Sequence, residues 1–382
     1  MAKKTPLPKT KPKHSMRVRI YQYAILAIGL LIAFTPTMYA GLSQADLRVV
    51  VTAMGIDKDA DGIVTLSAIS IVPQEAEPMV IHHVITAEGS CIAQALQSLS
   101  IRTGRLPETG HCEILILGKT AAQLGVMQEL NFLFASGIVS GGANVLISRT
   151  DAAEFLSEEA ELNSDAIRLN NLTRYASRGA HVVTTTLHKL LSDMASQSAV
   201  GIVPVTAIED GEHQGVECAV VLERGQIIHE LSEDETTGIA LLDPNTKSGT
   251  ITVDNFEVDG QAIGTISGRL VGKSSRVLAA RSDDRYSAHI RLRVTLELPE
   301  RHILFGFWGN AQDSDRANTL LEEAFAAKIT DYISQAAAVS KNHGVDIFGV
   351  NTNLYRKTRQ VLPSSDVVAK TDYNIEVTVR IR

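Results

Sequence analysis

The sequence predicts a mixed α/β (α+β) fold, in three domains of sheet and helix after one N-terminal membrane helix. Three observations predict it. The chain has 382 residues, a length that suits two or three domains. Strand-like and helix-like patterns alternate over its first half, which implies an α/β layer with some parallel pairing. Residues 20–40 carry no charge and follow a basic stretch.

That N-terminal stretch comes first. Residues 1–19 hold seven Lys and Arg and no acid, so a whole-chain charge of −7 leaves −14 on residues 20–382. An acidic body argues against a nucleic-acid binder, which needs a basic face to release counterions. The basic tail instead flanks "IYQYAILAIGLLIAFTPTMYA", and positive-inside logic keeps the tail in the cytoplasm and sends the body across the membrane. About 20 apolar residues span a bilayer, so the run fits a transmembrane anchor. Its most apolar centre, Ala24 to Phe34, also fits a signal sequence, and Ser43-Gln44-Ala45 offers small residues at cleavage spacing. The length of the tail favours the anchor.

The body divides by pattern into residues 46–210, an N-terminal α/β domain; 216–273, a small β-rich middle domain; and 274–382, a C-terminal domain. "LRVVVTAM" and "IVTLSAISIV" form a hairpin around an Asp/Gly tip containing Asp57, Asp59 and Gly62. Acids suit a solvated tip, and Gly62 can take positive φ. Ile92, Ala95, Leu96 and Leu99 then share a helix face with Ser90 as N-cap, and "HCEILILG" is a strand begun by His111. Further on, Asp151 and Thr186 stand where helices would be capped. "AVGIVPVTAIEDGEHQG", with Pro204, breaks the pattern. "VECAVVLERGQIIHEL" is a hairpin turning at Arg224-Gly225, and Ser232 with Glu235 reads as a capping box. In the last domain Ile290, Leu292, Val294, Leu296 and Leu298 face one side of a strand. Leu321, Phe325, Ile329, Tyr332, Ile333 and Ala336 form the stripe of a long helix that stops at Gly344, and "NIEVTVRIR" closes with a strand.

Chemistry-bearing motifs are sparse. The Asp57-Asp59-Asp61 spacing imitates an EF-hand, but its twelfth position is Ala68 where a bidentate Glu is needed, and its flanks are strands. "ISGRLVGKSS" has Ser267 where a phosphate loop needs Gly, and reads as a solvated turn. His82 and His83 are adjacent and would point to opposite faces of a strand. Glu158, Glu159 and Glu161 read as a solvated helix face. Cys91, Cys112 and Cys218 lack metal-ligand spacing; they read as small buried hydrophobes, with a Cys91–Cys112 disulfide open. No catalytic, cofactor-binding or metal-binding residue is assigned.

Four segments in order resemble the Ger(x)C spore germination proteins, the C subunits of nutrient germinant receptors. "VTAMGIDKDADGIVTLSAISIVPQ", with Gly55, Asp57, Asp59 and Gly62, is similar to their opening. "GSCIAQALQSLSIRTGRLPETGHCEILILGK" matches the next block through Arg102, Gly104, Arg105 and His111. "AVVLERGQIIHELSEDETTGIALL" matches the central block through Glu235, Thr236 and Gly238, and "HGVDIFGV" the late block through Asp346, Ile347, Phe348 and Gly349. The resemblance covers nearly all of residues 46–382. It implies three domains, each a mixed sheet with packed helices, outside the forespore inner membrane, and no enzymatic activity. It also implies A-type and B-type membrane subunits as partners, with no cofactor.

Two departures stand out. Members usually carry a lipid-receiving Cys at the end of the signal, whereas the first Cys here is Cys91, so a retained helix would replace a lipid anchor. The late block usually has Trp after its Phe-Gly, and this chain has none there. The residues alone leave two other classes open. A stand-alone sensor of a small ligand would need a concave pocket with converging polar groups. An anchored hydrolase would need a nucleophile–base or carboxylate pair. A small-molecule germinant is a further candidate partner, and the sequence does not say whether the body touches it.

Overall fold

The computed structural model describes residues 20–21, 23–29, 48–72, 81–161, 171, 179–209, 212–258, 261–299 and 311–382. The basic tail 1–19, most of the run 20–40, the small residues at 43–45 and Pro73 lie outside them. Residues 20–21 and 23–29 are helical, and the side chains of Ile20, Tyr21, Tyr23, Ile25, Leu26 and Ile28 are exposed. Among the described residues no helix is long and apolar enough to cross a membrane.

Residues 49–103 and 107–382 form one body built on two sheets. The first sheet comprises β1 (Arg48–Lys58), β2 (Val64–Val72), β3 (Ile81–Gly89), β4 (Leu106–Glu108), β5 (Ile114–Leu117), β6 (Asn144–Ser148), β7 (Val200–Glu209), β8 (Glu212–Glu223) and β9 (Gln226–Glu230). Its path runs β3-β2-β1-β5-β6-β7-β8-β9. Neighbours from β1 to β7 are parallel, and antiparallel hairpins extend both flanks. A strand covered on both faces reads as a continuous apolar run, and β5, with the sequence ILIL, is buried at all four residues. Leu115 and Leu117 face a core shared with α1 (Ile92–Thr103), α2 (Lys119–Leu124), α3 (Met127–Ala135) and α5 (Leu187–Met194). Ile114 and Ile116 face the other way, onto Phe155 and Leu156 of α4 (Ala152–Glu161).

The second sheet follows α6 (Glu233–Ala240). It runs β10 (Gly249–Val258), β11 (Gln261–Ser282), β12 (Arg285–Glu297) and β13 (Thr371–Ile381). One face is buried by α7 (Ala311–His343), whose Leu321, Phe325, Ile329 and Ile333 meet Ile290, Leu292, Val294 and Leu296 of β12. Both stripes are the ones the sequence predicts. Helices α8 (Val350–Thr358) and α9 (Ser364–Ala369) complete that side. A further core joins the sheets: Val200, Ala219 and Val221 pack with Ile239 of α6 and Ala336 and Val339 of α7.

Several expectations change. The break around Pro204 is a continuous hairpin of β7 and β8. β6 pairs with β7 only at Val205 and Thr206, so the missing N–H of Pro204 falls outside that ladder. The edge expected at 273–274 falls inside β11, which is paired through that point. "ISGRLVGKSS" is therefore strand, not a solvated turn. Lys273 points inward, and its Nζ donates to the carbonyls of Ala240, Leu241 and Asp243, closing the C-terminal end of α6. Glu159 is buried rather than solvated, because it lies one turn beyond Phe155 on the packed stripe of α4. None of the three cysteines forms a disulfide, and Cys91 is exposed rather than buried.

Candidate functional site

The motif positions fall into local clusters, and the sharpest chemistry in them is the capping of helices by acids. Lys58 and Val64 close the β1–β2 hairpin, where Asp59 accepts from the Ile63 N–H at 2.8 Å and Gly62 has φ of 82°. Asp57 is not a solvated tip acid. Its Oδ1 accepts from the Ala152 N–H at 2.7 Å and its Oδ2 from the Ala153 N–H at 2.8 Å, so it caps α4 in place of Asp151. Burial pushes its carboxyl up, against the pull of those two amides. Two glycines make room for this arrangement. A Cβ on Gly118 would stand 1.9 Å from Asp57 Oδ1, and one on Gly55 would stand 2.9 Å from the Ala152 and Leu156 side chains.

The second block is a surface element. Arg102 is exposed and donates to the Thr86 carbonyl at 2.8 Å, tying α1 to β3. Gly104 has φ of 61°, and Arg105 is exposed. His111 lies in an exposed turn three residues before β5 and does not begin the strand. Ser90 is not the N-cap of α1: the helix begins at Ile92, the Ala95 N–H donates to the Cys91 carbonyl, and the Ser90 N–H and Oγ both donate to Gln94 Oε1, tying the preceding turn to the helix.

The third and fourth blocks meet in one core with α7, where Ile239 and Ala240 are buried with Val345, Ala336 and Val339. Ser232 and Glu235 form the expected capping box at the start of α6. Thr236 is buried, and Gly238 faces α7 so closely that a Cβ would stand 2.3 Å from the Tyr332 carbonyl oxygen. Past the end of α7, Asp346 is buried. Its carboxylate accepts from the Val350 N–H at 2.8 Å and the Asn351 N–H at 2.6 Å, capping α8, and from Ser198 Oγ at 2.6 Å. Burial raises this carboxyl also, while the Ser198 and helix donors hold it down. Ser198 precedes β7, so the bond ties the start of α8 to the first sheet. The Ser198 N–H to Thr352 Oγ1 (3.2 Å) and Asn351 Nδ2 to the Gln197 carbonyl (3.1 Å) reinforce it. Phe348 meets the Tyr373 ring edge-on at 5.6 Å, and Gly349 takes φ of 68° at the α8 N-cap.

Sequence reasoning missed Ser198, Gly118 and Lys273. Their partners lie far along the chain, and only Lys273 carried a signal, a charge inside an alternating strand. An open cleft of about 900 Å³ lies beside the third block. Arg149 pairs there with Glu230 at 2.7 Å, and the His229 and His181 rings stand 3.5 Å from Glu235 and 3.9 Å from Glu233. Among the described residues no three His, Cys, Asp or Glu side chains converge to hold a metal. Taken together, the motif acids accept from backbone amides, and two of them, Asp57 and Asp346, fix helices to the first sheet.

A family model for the spore germination protein N-terminal domain matches residues 44–208, and one for the spore germination B3/GerAC-like C-terminal region matches residues 217–382. The matched segments meet at the β7–β8 hairpin. A solved structure, the crystal structure of the GerBC protein, is similar at 15% identity and a TM-score of 0.52, covering 87% of this chain and 98% of that one. At that identity the likeness is one of fold. No curated protein matches.

Proposed function

Because the chain belongs to the Ger(x)C family of spore germination proteins, we propose that it is the C subunit of a spore nutrient germinant receptor. In this reading it catalyses no reaction. It is tethered by residues 20–40, with its N-terminus in the cytoplasm and its body on the outer face of the spore inner membrane. There it assembles with A-type and B-type membrane subunits. The observation that carries the reading is the succession of the two family segments over residues 44–208 and 217–382. The use of Asp57 and Asp346 as helix caps supports it, since those motif acids are engaged by backbone amides. The exposed apolar side chains of Ile20, Tyr21, Tyr23, Ile25, Leu26 and Ile28 support the tether.

Deletion in the sporulating host tests the reading. Spores are expected to form normally, to lose the response to one nutrient class and to keep the response to a non-nutrient trigger. An unchanged nutrient response in a strain stripped of other receptors would overturn it.

A further inference from the structure

The second sheet has two unlike faces. β12 alternates between them, with Ile290, Leu292 and Val294 buried under α7 and His289, Arg291 and Arg293 exposed. Register carries the exposed set onto its neighbours, because residues paired across strands project to the same side. Arg291 lies opposite Arg276 on β11 and Glu376 on β13; Arg293 lies between Ser274 and Thr378; Thr295 lies between Gly272 and Arg380. The helices packed on this sheet, α7 and α8, bury the opposite face.

The result is a patch three strands wide of exposed arginines and hydroxyls, bounded at its two ends by the pairs Arg269–Glu297 and Arg285–Asp372. Arg291 is held by Glu376, Nε to Oε2 at 2.8 Å. Among the described residues Arg276, Arg293 and Arg380 form no ion pair. Like charges directly opposite weaken a strand pair, so Arg276 facing Arg291 adds nothing to the fold. The patch also reverses the sign of the chain around it, since residues 20–382 balance at −14.

We propose that this face docks on a bilayer of anionic phospholipid. A guanidinium presents a planar fork of donors that matches a phosphate, and neighbouring Ser and Thr hydroxyls can donate to the same groups. A protein partner would be gripped by buried aromatic or aliphatic anchors, and the centre of this face has none. Spaced cations on an open surface are what a charged lipid leaflet requires. The proposal rests on the tethered reading, in which residues 20–40 hold the body at a membrane. Docking through this face would then set the orientation of a body whose overall charge is repelled.

The test uses the full chain reconstituted into phosphatidylcholine vesicles, with and without phosphatidylglycerol. Cys91→Ser removes the exposed thiol, and Ala280→Cys places a fluorophore on the open face, opposite Ser287. Energy transfer to a headgroup-labelled lipid reports approach. Transfer is expected to rise several-fold with phosphatidylglycerol and to fall as salt is raised. It is also expected to vanish in the Arg276→Gln/Arg293→Gln/Arg380→Gln variant, whose circular dichroism and melting stay those of the parent. Equal transfer in both vesicles, or a triple variant that behaves as the parent, overturns the proposal. So does binding of polyglutamate to this face with no effect of phosphatidylglycerol, which would assign it to an acidic protein. If the chain does not enter phosphatidylcholine vesicles, the tethered reading fails by itself. The face is then scored by co-flotation of parent and triple variant with phosphatidylglycerol vesicles, where equal recovery overturns it.

Discussion

Asp57 and Asp346 show why single residues were only half legible. Each reads in sequence as a polar residue beside a turn, and each is a helix cap. Asp346 caps the helix that follows it, a short-range relation. Asp57 caps a helix 95 residues away, so no local pattern could reveal it. Removing an N-cap acceptor costs about 0.5–2 kcal/mol. Asp57→Ala should therefore lose roughly 1–2 kcal/mol in urea unfolding, and Asp151→Ala, which leaves the cap in place, should lose a few tenths at most. Both capping carboxyls are raised by burial above the ordinary 3.8. Between the unfolded and folded values the native state then holds more protons than the unfolded chain. Stability should fall as pH rises through that window and level off above the folded value. In Asp346→Asn the fall should shrink, because one of the two groups no longer titrates. An undiminished slope in unfolding measured from pH 3.5 upward would assign the titration elsewhere.

At the scale of elements, strands and helices with a clean period were readable because burial alone decided them. The α7 stripe and the alternation of β12 are examples. Errors came where a partner decided. Pro204 reads as a breaker until its ladder is known, and "GRLVGKSS" reads as a loop until β10 and β12 are seen on either side of it. Gly238 makes the same point with a measurable sign. Glycine inside a helix is usually worse than alanine by about 0.5–1 kcal/mol, so Gly→Ala in α6 would ordinarily stabilise. Here the added carbon would stand 2.3 Å from the Tyr332 carbonyl oxygen, a backbone atom that cannot rotate away. α6 and α7 would have to separate, and overpacking of that kind costs roughly 1–3 kcal/mol. Gly238→Ala should thus lower the melting temperature, whereas a gain would mean the two helices have slack between them.

Across the whole molecule, composition and charge indicated an acidic body behind a basic, apolar N-terminus, and alternation indicated mixed sheets. Which segments share a sheet was not legible, because pairing depends on residues distant in sequence. The boundary read near residue 210 lies in a hairpin of one sheet, yet the two family segments also meet there. The core between the sheets decides how these halves behave. Val200, Ala219 and Val221 of the first sheet share it with Ile239, Ala336 and Val339, and the Ser198–Asp346 bond seals its edge. Halves joined by a buried apolar core should unfold together rather than in turn. Urea transitions followed by a fluorophore on the exposed thiol of Cys91 and by far-ultraviolet circular dichroism should therefore coincide. Ala336→Asp places a charge in that shared core, where it has no partner to offset its desolvation. The fluorescence and dichroism midpoints should then separate, because the first sheet retains its own core with α1, α2, α3 and α5. If they stay coincident while both fall, the shared core is continuous with the rest of the body and the halves have no stability of their own.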